Sequence, residues 1–197
     1  SKEVSGKNDK ETTEEKKTKG DDDEDETTKK KKPDEDETKE DETKNKYPVG
    51  HDDWEEYYGV GYSIRLSSDW TETEVAGAEL AFAHMSTATD GFAENITTAT
   101  QDISAYNMDF EEYKDLSLKQ LEQLGYDIVE QEAVEVNGVD GYCVVSTVEQ
   151  QGIKCYIKQW FTVVDDTAII LTIACDEDGY NDLEDEIDEI IETLVID

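Results

Sequence analysis

The first 46 residues lack almost everything from which a folded core is built. They contain no aromatic residue and no cysteine, and Val4 is their only large aliphatic side chain. Such a segment buries too little apolar surface to offset the conformational entropy that ordering removes. From Tyr47 onward the chain carries every Trp, Tyr, Phe and Cys that it has. The sequence therefore predicts a disordered, charged tether over residues 1–46 and one folded domain over residues 47–197.

Basic side chains are almost absent from the predicted domain. Residues 47–197 carry 35 acidic residues and hold −30 of the chain's net charge of −35. The basic residues in this part are Arg65, Lys114, Lys119, Lys154 and Lys158. This charge repels phosphate backbones and anionic lipids, which excludes nucleic acid and direct membrane adhesion. It favours cations and basic proteins or peptides as partners. The alternatives are a charge that serves only solubility and a surface adapted to high salt.

The sequence also lacks a secretory signal and a hydrophobic run long enough to cross a bilayer. It begins at Ser1 without a methionine, so we expect that a leader has been removed and that a lipidated cysteine precedes Ser1. A flexible chain of the tether's length has a root-mean-square reach of roughly 35–40 Å, which lifts a domain off a membrane. These features predict an extracytoplasmic, cell-surface domain that is anchored by lipid. The alternative is an intracellular protein with a disordered tail.

The pattern of apolar and polar residues predicts three strands followed by a helix. The strands are expected at Gly61–Leu66, Ala78–Met85 and Asn95–Ile103. A capping-box signature at Asp109 then opens a helix, because apolar residues recur at helical spacing until Gly125.

A meander of four strands and a closing helix should complete the domain. The four strands are predicted at Asp127–Val136, Tyr142–Glu149, Ile153–Val164 and Thr167–Cys175. Asn137-Gly138 favours a tight turn, although the following Val139–Gly141 predicts an irregular connection. Asn181 is expected to cap the last helix. The fold class is therefore α+β, with an antiparallel sheet of about six to seven strands flanked by two helices.

Cys143, Cys155 and Cys175 match no CxxC motif and no metal-ligand spacing. The alternation of apolar residues in the last two strands predicts a register in which Cys155 lies opposite Cys175. Two interpretations remain open for this pair, namely free buried thiols and a disulfide.

Signatures of catalysis are missing as well. The chain has no GxSxG, no P-loop and no HExxH, and its histidines are His51 and His84. His84 falls on the apolar side of a predicted strand, which favours a structural role. We therefore predict that the protein is not an enzyme and needs no cofactor. An enzyme whose site leaves no local motif is the alternative.

Two groups of residues are candidates for binding. Asp176, Asp178 and Asp182 lie in an oxygen-rich segment of the kind that suits Ca²⁺, although their spacing does not match an EF-hand. The alternative is a solvated loop. Trp54, Tyr156 and Trp160 form the second group, either as an exposed aromatic patch for a protein partner or as part of the core if a helix covers them.

Several short phrases of the sequence resemble those of one superfamily. They are Gly61–Leu66 leading to Asp69-Trp70, Asn95-Ile96, Asp109–Tyr113 and Val134–Gly138, followed by an amphipathic last helix. Together they resemble the PsbP-like superfamily, which includes DcrB-like bacterial envelope proteins. The resemblance implies an antiparallel sheet flanked by helices, and an assembly, accessory or binding role without catalysis. It carries over no functional residue. We therefore expect a monomeric, surface-tethered lipoprotein domain that binds a protein or an envelope component, with a calcium-binding accessory module as the alternative.

Overall fold

The computed structural model of the chain describes residues 51–84 and 92–197. The predicted tether over residues 1–46 lies outside these described residues, as does Met85 at the end of the second predicted strand. The elements in chain order are β1 (Glu55–Gly59), β2 (Tyr62–Leu66), β3 (Trp70–Glu72), β4 (Leu80–His84), β5 (Asn95–Asp102), a 3-10 turn (Ser104–Tyr106), α1 (Phe110–Gln123), β6 (Asp127–Val136), β7 (Val139–Gln150), β8 (Ile153–Val164), β9 (Thr167–Asp176), α2 (Glu177–Glu192) and β10 (Val195–Ile196).

Seven strands form the main sheet in the order β3-β4-β5-β9-β8-β7-β6, and each neighbouring pair is antiparallel. The strands β1, β2 and β10 form a smaller antiparallel sheet. This arrangement confirms the predicted α+β class and the predicted size of the sheet. It also makes β3 and β6 the two edges of the main sheet.

The two helices pack on opposite faces of the main sheet. The helix α2 and the small sheet bury one face in the larger core cluster, which contains Tyr62, Trp160 and Ile187. The other face packs against α1 in a smaller cluster that contains Tyr113 and Phe161. The central strands are therefore apolar on both faces.

In the described residues, no helix has both the length and the apolar character that spanning a bilayer demands.

The register of the last hairpin differs from the predicted one by a single residue. Cys155 lies opposite Asp176, and Cys175 lies opposite Tyr156. The predicted pairing of Cys155 with Cys175 is therefore wrong. A shift of one residue moves a side chain to the other face of a sheet, so the two thiols face opposite sides. The prediction assumed one buried face, whereas helices cover both and the apolar pattern alone does not fix the register.

The turn between β6 and β7 is tighter than the sequence predicts. Val136 pairs directly with Val139, so Asn137-Gly138 is a regular two-residue connection and the expected irregularity at Val139–Gly141 is wrong. Both turn residues have positive φ, 50° for Asn137 and 84° for Gly138. This combination matches the right-handed twist of the two strands that it joins.

The structure confirms the predicted start of α1 and contradicts the predicted start of α2. The capping box of α1 is confirmed, because the Asp109 carboxylate accepts from the backbone N–H of Glu112 and the Glu112 carboxylate accepts from that of Asp109. The prediction that Asn181 caps the second helix is wrong. The Asp176 carboxylate instead accepts from the backbone N–H of Gly179 at 2.7 Å, so strand β9 continues directly into α2. Asn181 lies in the second turn.

Candidate functional site

The aromatic residues of the predicted patch are buried to different extents. Trp160 has no exposed surface, and its indole Nε1 donates to the Val134 carbonyl at 3.3 Å. The structure thus places Trp160 in the core, because α2 covers this face of β8. Tyr156 is half-buried and stacks on Tyr180 of α2 with ring centroids 4.8 Å apart. Its hydroxyl oxygen accepts from Lys154 Nζ at 2.8 Å. Trp160 therefore cannot belong to an exposed patch.

The histidines are packed against tryptophan rings. The buried His51 lies 4.1 Å from the half-buried Trp54, measured between ring centroids. The buried His84 meets Trp70 edge-on at 4.9 Å. Trp70 in turn donates through Nε1 to a carboxylate oxygen of Glu186 at 3.0 Å. The bond between Trp70 and Glu186 links β3 to α2, and each imidazole packs on an indole ring.

The three aspartates of the calcium hypothesis occupy different environments. Asp176 is buried and uses its carboxylate as the cap of α2, whereas Asp178 and Asp182 are exposed on the first turns of that helix. Over residues 51–84 and 92–197, no group of three or more His, Cys, Asp or Glu side chains is arranged to hold a metal ion. The arrangement gives the calcium hypothesis no geometric support.

A different set of acidic side chains comes together between β6 and α2. These side chains surround a hollow whose floor is formed by β7 and β8, and we call it the acidic groove. Its charged lining consists of Glu130, Glu132, Lys158, Asp188 and Glu192. Four carboxylates and one amine thus share the groove, although they come from three separate stretches of sequence.

Lys158 and Asp188 form an ion pair at the base of the groove. Only 10% of the Lys158 side chain is exposed, so its charge is held close to the floor. Asp188 neutralises this amine. Glu130 and Glu132, which point to the same face from β6, are exposed and make no hydrogen bond or ion pair with another described residue. Among the described residues, the groove therefore keeps an unneutralised negative charge.

The groove also affects the pKa of a neighbouring thiol. Burial raises the pKa of Cys143 to about 11 from its ordinary value of 9.0. Lys158 opposes this rise, whereas Asp188, Glu132 and Glu130 add to it. A thiol with such a pKa is almost fully protonated at neutral pH and is a poor nucleophile. The environment of Cys143 therefore disfavours an additional negative charge.

The strand β6 itself forms the outer wall of the acidic groove. Within residues 51–84 and 92–197 it pairs with β7 alone, and the side chains from Val129 to Ala133 are all exposed. Val129 is an extra residue in the pairing, which shifts between Ile128 and Glu130. Sequence reasoning predicted the strand but missed the groove. The available signal was the acidic centre of the strand, where Glu130-Gln131-Glu132 interrupts the apolar alternation and indicates an edge.

No protein-family model matches this chain, and no curated protein matches it either. Solved structures do match over most of its length. The chain is similar to CyanoP, the cyanobacterial PsbP of Synechocystis sp. PCC 6803, with a TM-score of 0.59 and 14% identity. The match covers 76% of this chain and 95% of CyanoP. The domain has the PsbP-like fold. The predicted resemblance is thus confirmed at the level of the fold.

Two further solved structures match this domain. One is LpqN of Mycobacterium tuberculosis, described as involved in cell envelope biogenesis, with a TM-score of 0.55 and 16% identity over 68% of this chain and 82% of LpqN. The other is the Saccharomyces cerevisiae Ran-binding protein Mog1p, with a TM-score of 0.50 and 10% identity over 73% of this chain and 95% of Mog1p. At these identities the likeness concerns the fold.

Proposed function

We propose that this PsbP-like domain is a non-enzymatic binding module that holds a basic segment of a partner protein in its acidic groove. The observation that carries the proposal is the unneutralised charge of Glu130 and Glu132. Both carboxylates face the groove without an ion-pair partner among the described residues, and the nearby amine of Lys158 already pairs with Asp188. Lysine or arginine side chains of a partner would supply the missing counter-charges.

The chemistry of the side chains supports binding without catalysis. The histidines are packed against tryptophan rings, and burial raises the pKa of Cys143 to about 11 and that of Cys175 to about 12. Thiols with such raised pKa values are poor nucleophiles at neutral pH. The matching structures include a Ran-binding protein and an envelope biogenesis protein, which agrees with a domain that works through contacts.

We further propose that the tether presents this domain outside the cytoplasm from a lipid anchor. The composition of residues 1–46 supports a long hydrophilic spacer, and one matching structure comes from a protein of cell envelope biogenesis. The residues immediately upstream of Ser1 test the anchor. An apolar segment that ends in cysteine would support it, and a start methionine directly before Ser1 would overturn it.

Binding to the groove is tested with a short basic peptide of defined sequence. The probe is a fluorescein-labelled, end-blocked nonapeptide of alternating lysine and threonine, titrated with the full chain of 197 residues in 0.15 M NaCl. Fluorescence anisotropy gives the Kd. The double variant Glu130→Lys/Glu132→Lys should weaken binding at least tenfold, because it replaces two attractive charges with repulsive ones.

The matched control is Glu72→Lys/Glu74→Lys, which changes the net charge equally. Both control residues are exposed, and they lie at the β3 edge of the sheet or just beyond it. Six strand spacings separate that edge from β6, which is about 29 Å. The control should change the Kd less than threefold. Equal weakening by both variants would overturn the proposal, and the acidic charge would then serve only solubility. The acids of the tether are identical in all chains, so they cannot cause a difference between the variants.

A further inference from the structure

The main sheet has one long edge that no other element of the described residues pairs with. The strand β6 contains ten residues and has a single neighbour, β7, whereas the opposite edge strand β3 contains three residues. In an edge strand, every second residue points its backbone N–H and C=O away from the sheet. The exposed centre of β6, from Val129 to Ala133, therefore presents a row of backbone donors and acceptors.

The edge also carries features that oppose pairing with a second copy of the chain. The bulge at Val129 bends the strand, and Glu130 and Glu132 project from its centre. Two β6 strands placed side by side would bring carboxylates close to carboxylates, which is destabilising. Proteins commonly protect long edges in this way against association with themselves. The same charges attract a strand of the opposite sign.

We infer that β6 receives the basic segment of the partner by strand addition, so that the segment becomes an eighth strand of the main sheet. This inference rests on the function proposed above and specifies how the partner binds. Backbone hydrogen bonds to β6 would supply affinity, and side chains at every second position would supply selectivity. On the side of α2, those side chains reach Glu130 and Glu132 at the rim of the acidic groove.

The opposite face of the added strand meets uncharged side chains of β6. Gln131 and Ala133 project from β6 on the side of α1, and the hydroxyl of Tyr142 in β7 donates to Gln131 Oε1 at 3.1 Å. The sheet thus favours a partner in which basic residues alternate with small or uncharged polar residues. This alternation separates the inferred partner from a uniformly basic one.

The ends of the available edge limit the length of the partner segment. At one end the bulge at Val129 interrupts the regular pairing. At the other end the side-chain amide of Asn137 donates to the carbonyl oxygens of Glu192 and Leu194, so the chain that follows α2 closes that side. The stretch from Val129 to Val134 contains six residues and spans about 20 Å. We expect a partner segment of about this length.

Hydrogen exchange of the β6 amides in the full chain tests the mode of binding. The probe is the same lysine–threonine nonapeptide, added to saturation, and exchange is followed residue by residue by NMR. Strand addition predicts that alternate amides between Val129 and Val134 gain at least tenfold protection, because their N–H groups acquire partners in the peptide. The amides of β3 should show no change.

The possible outcomes separate this inference from the proposed function. Binding that is weakened by Glu130→Lys/Glu132→Lys but leaves the β6 exchange rates unchanged would overturn strand addition and would retain the groove as a binding site. Absence of binding to the wild-type chain would overturn both. As a control for the peptide, an end-blocked nonapeptide with the same five lysines and with glycine in place of threonine keeps the charge and lowers the strand propensity. It should bind more weakly than the threonine peptide, and equal affinity would count against strand addition.

Discussion

Gly141 lies directly against the indole ring of Trp160. A Cβ atom at position 141 would fall 2.4 Å from Trp160 Cε2, well inside any normal contact distance. Cys143, two residues after Gly141 on β7, is the strand partner of Trp160. Because Gly141 has no side chain, the backbone of β7 leaves room for the indole ring. Because the ring is fully buried and its Nε1 donates to Val134, it has little freedom to move away.

We predict that Gly141→Ala destabilises the domain by about 2–3 kcal/mol, because an added methyl group overpacks a rigid part of the core. In an exposed strand the same change would normally be stabilising, since glycine weakens strand interiors. Urea unfolding followed by tryptophan fluorescence measures the effect. In a Trp160→Phe background the smaller ring leaves more room, so the substitution should cost at least about 1 kcal/mol less. Equal costs in both backgrounds would contradict the assignment of the clash to Trp160.

Asn137 joins the β6–β7 turn to the end of α2. Its side-chain amide donates to the carbonyl oxygen of Glu192 at 3.0 Å and to that of Leu194 at 2.7 Å. We predict that Asn137→Ala lowers the free energy of unfolding by about 2–3 kcal/mol, through two lost hydrogen bonds and a positive φ that alanine tolerates poorly.

Asn107 provides the matched control for this substitution. Its φ of 45° is close to the 50° of Asn137, and it has no such hydrogen bonds among the described residues. Asn107→Ala should therefore cost only the backbone term, about 1 kcal/mol. The difference between the two variants, measured by urea unfolding, isolates the two bonds to the end of α2. If the two losses were equal, these bonds would contribute nothing to stability.

Stability should fall at alkaline pH, because buried thiol and phenol groups keep their protons in the folded state. Burial raises the pKa of Cys143 to about 11 and that of Cys175 to about 12, against an ordinary value of 9.0. Burial likewise raises the pKa of Tyr62 to about 12 from 10.0. Above pH 9 the unfolded chain loses these protons first, which favours unfolding. The stabilisation is therefore complete below pH 9 and is lost as the pH rises to about 12.

The measurement is urea unfolding between pH 8 and pH 11 in the presence of a phosphine reductant. Each group contributes a slope of at most about 1.4 kcal/mol per pH unit. The variant Cys175→Ala should show a shallower loss of stability than the wild type over this range. A free energy of unfolding that stays constant from pH 9 to pH 11 would contradict the burial of these groups.

The sequence predicted those features that depend on neighbouring residues. The start of α1 was predicted correctly because its capping box is complete within four residues, Asp109 to Glu112. The strands of the meander were also predicted, since each is bounded by a local turn. The start of α2 was missed because Asp176 both ends a strand and caps a helix, so no loop separates the two. An acidic run that contains glycine indicates a loop when it is considered alone.

Features that depend on the packing of distant elements were not predictable in this way. The register that separates Cys155 from Cys175 follows from a sheet covered on both faces, whereas the sequence suggested one buried face. The acidic groove joins residues of β6 with Asp188, more than fifty positions later in the chain. In a domain with so many acids, sequence alone does not show which carboxylates meet. That selection depends on the strand order and on the placement of α2.

The position of β9 at the centre of the main sheet has a consequence for the order in which the domain assembles. Strand β9 pairs with β8 across a two-residue turn, but its other neighbour, β5, ends 65 residues before β9 begins. The strands from β6 to β9 can therefore form through short-range contacts, which close quickly. The strands β3 to β5, although synthesised first, have no central strand to join until residue 176 is available. During synthesis, the strands β3 to β5 can therefore join the main sheet only after β9 has been made.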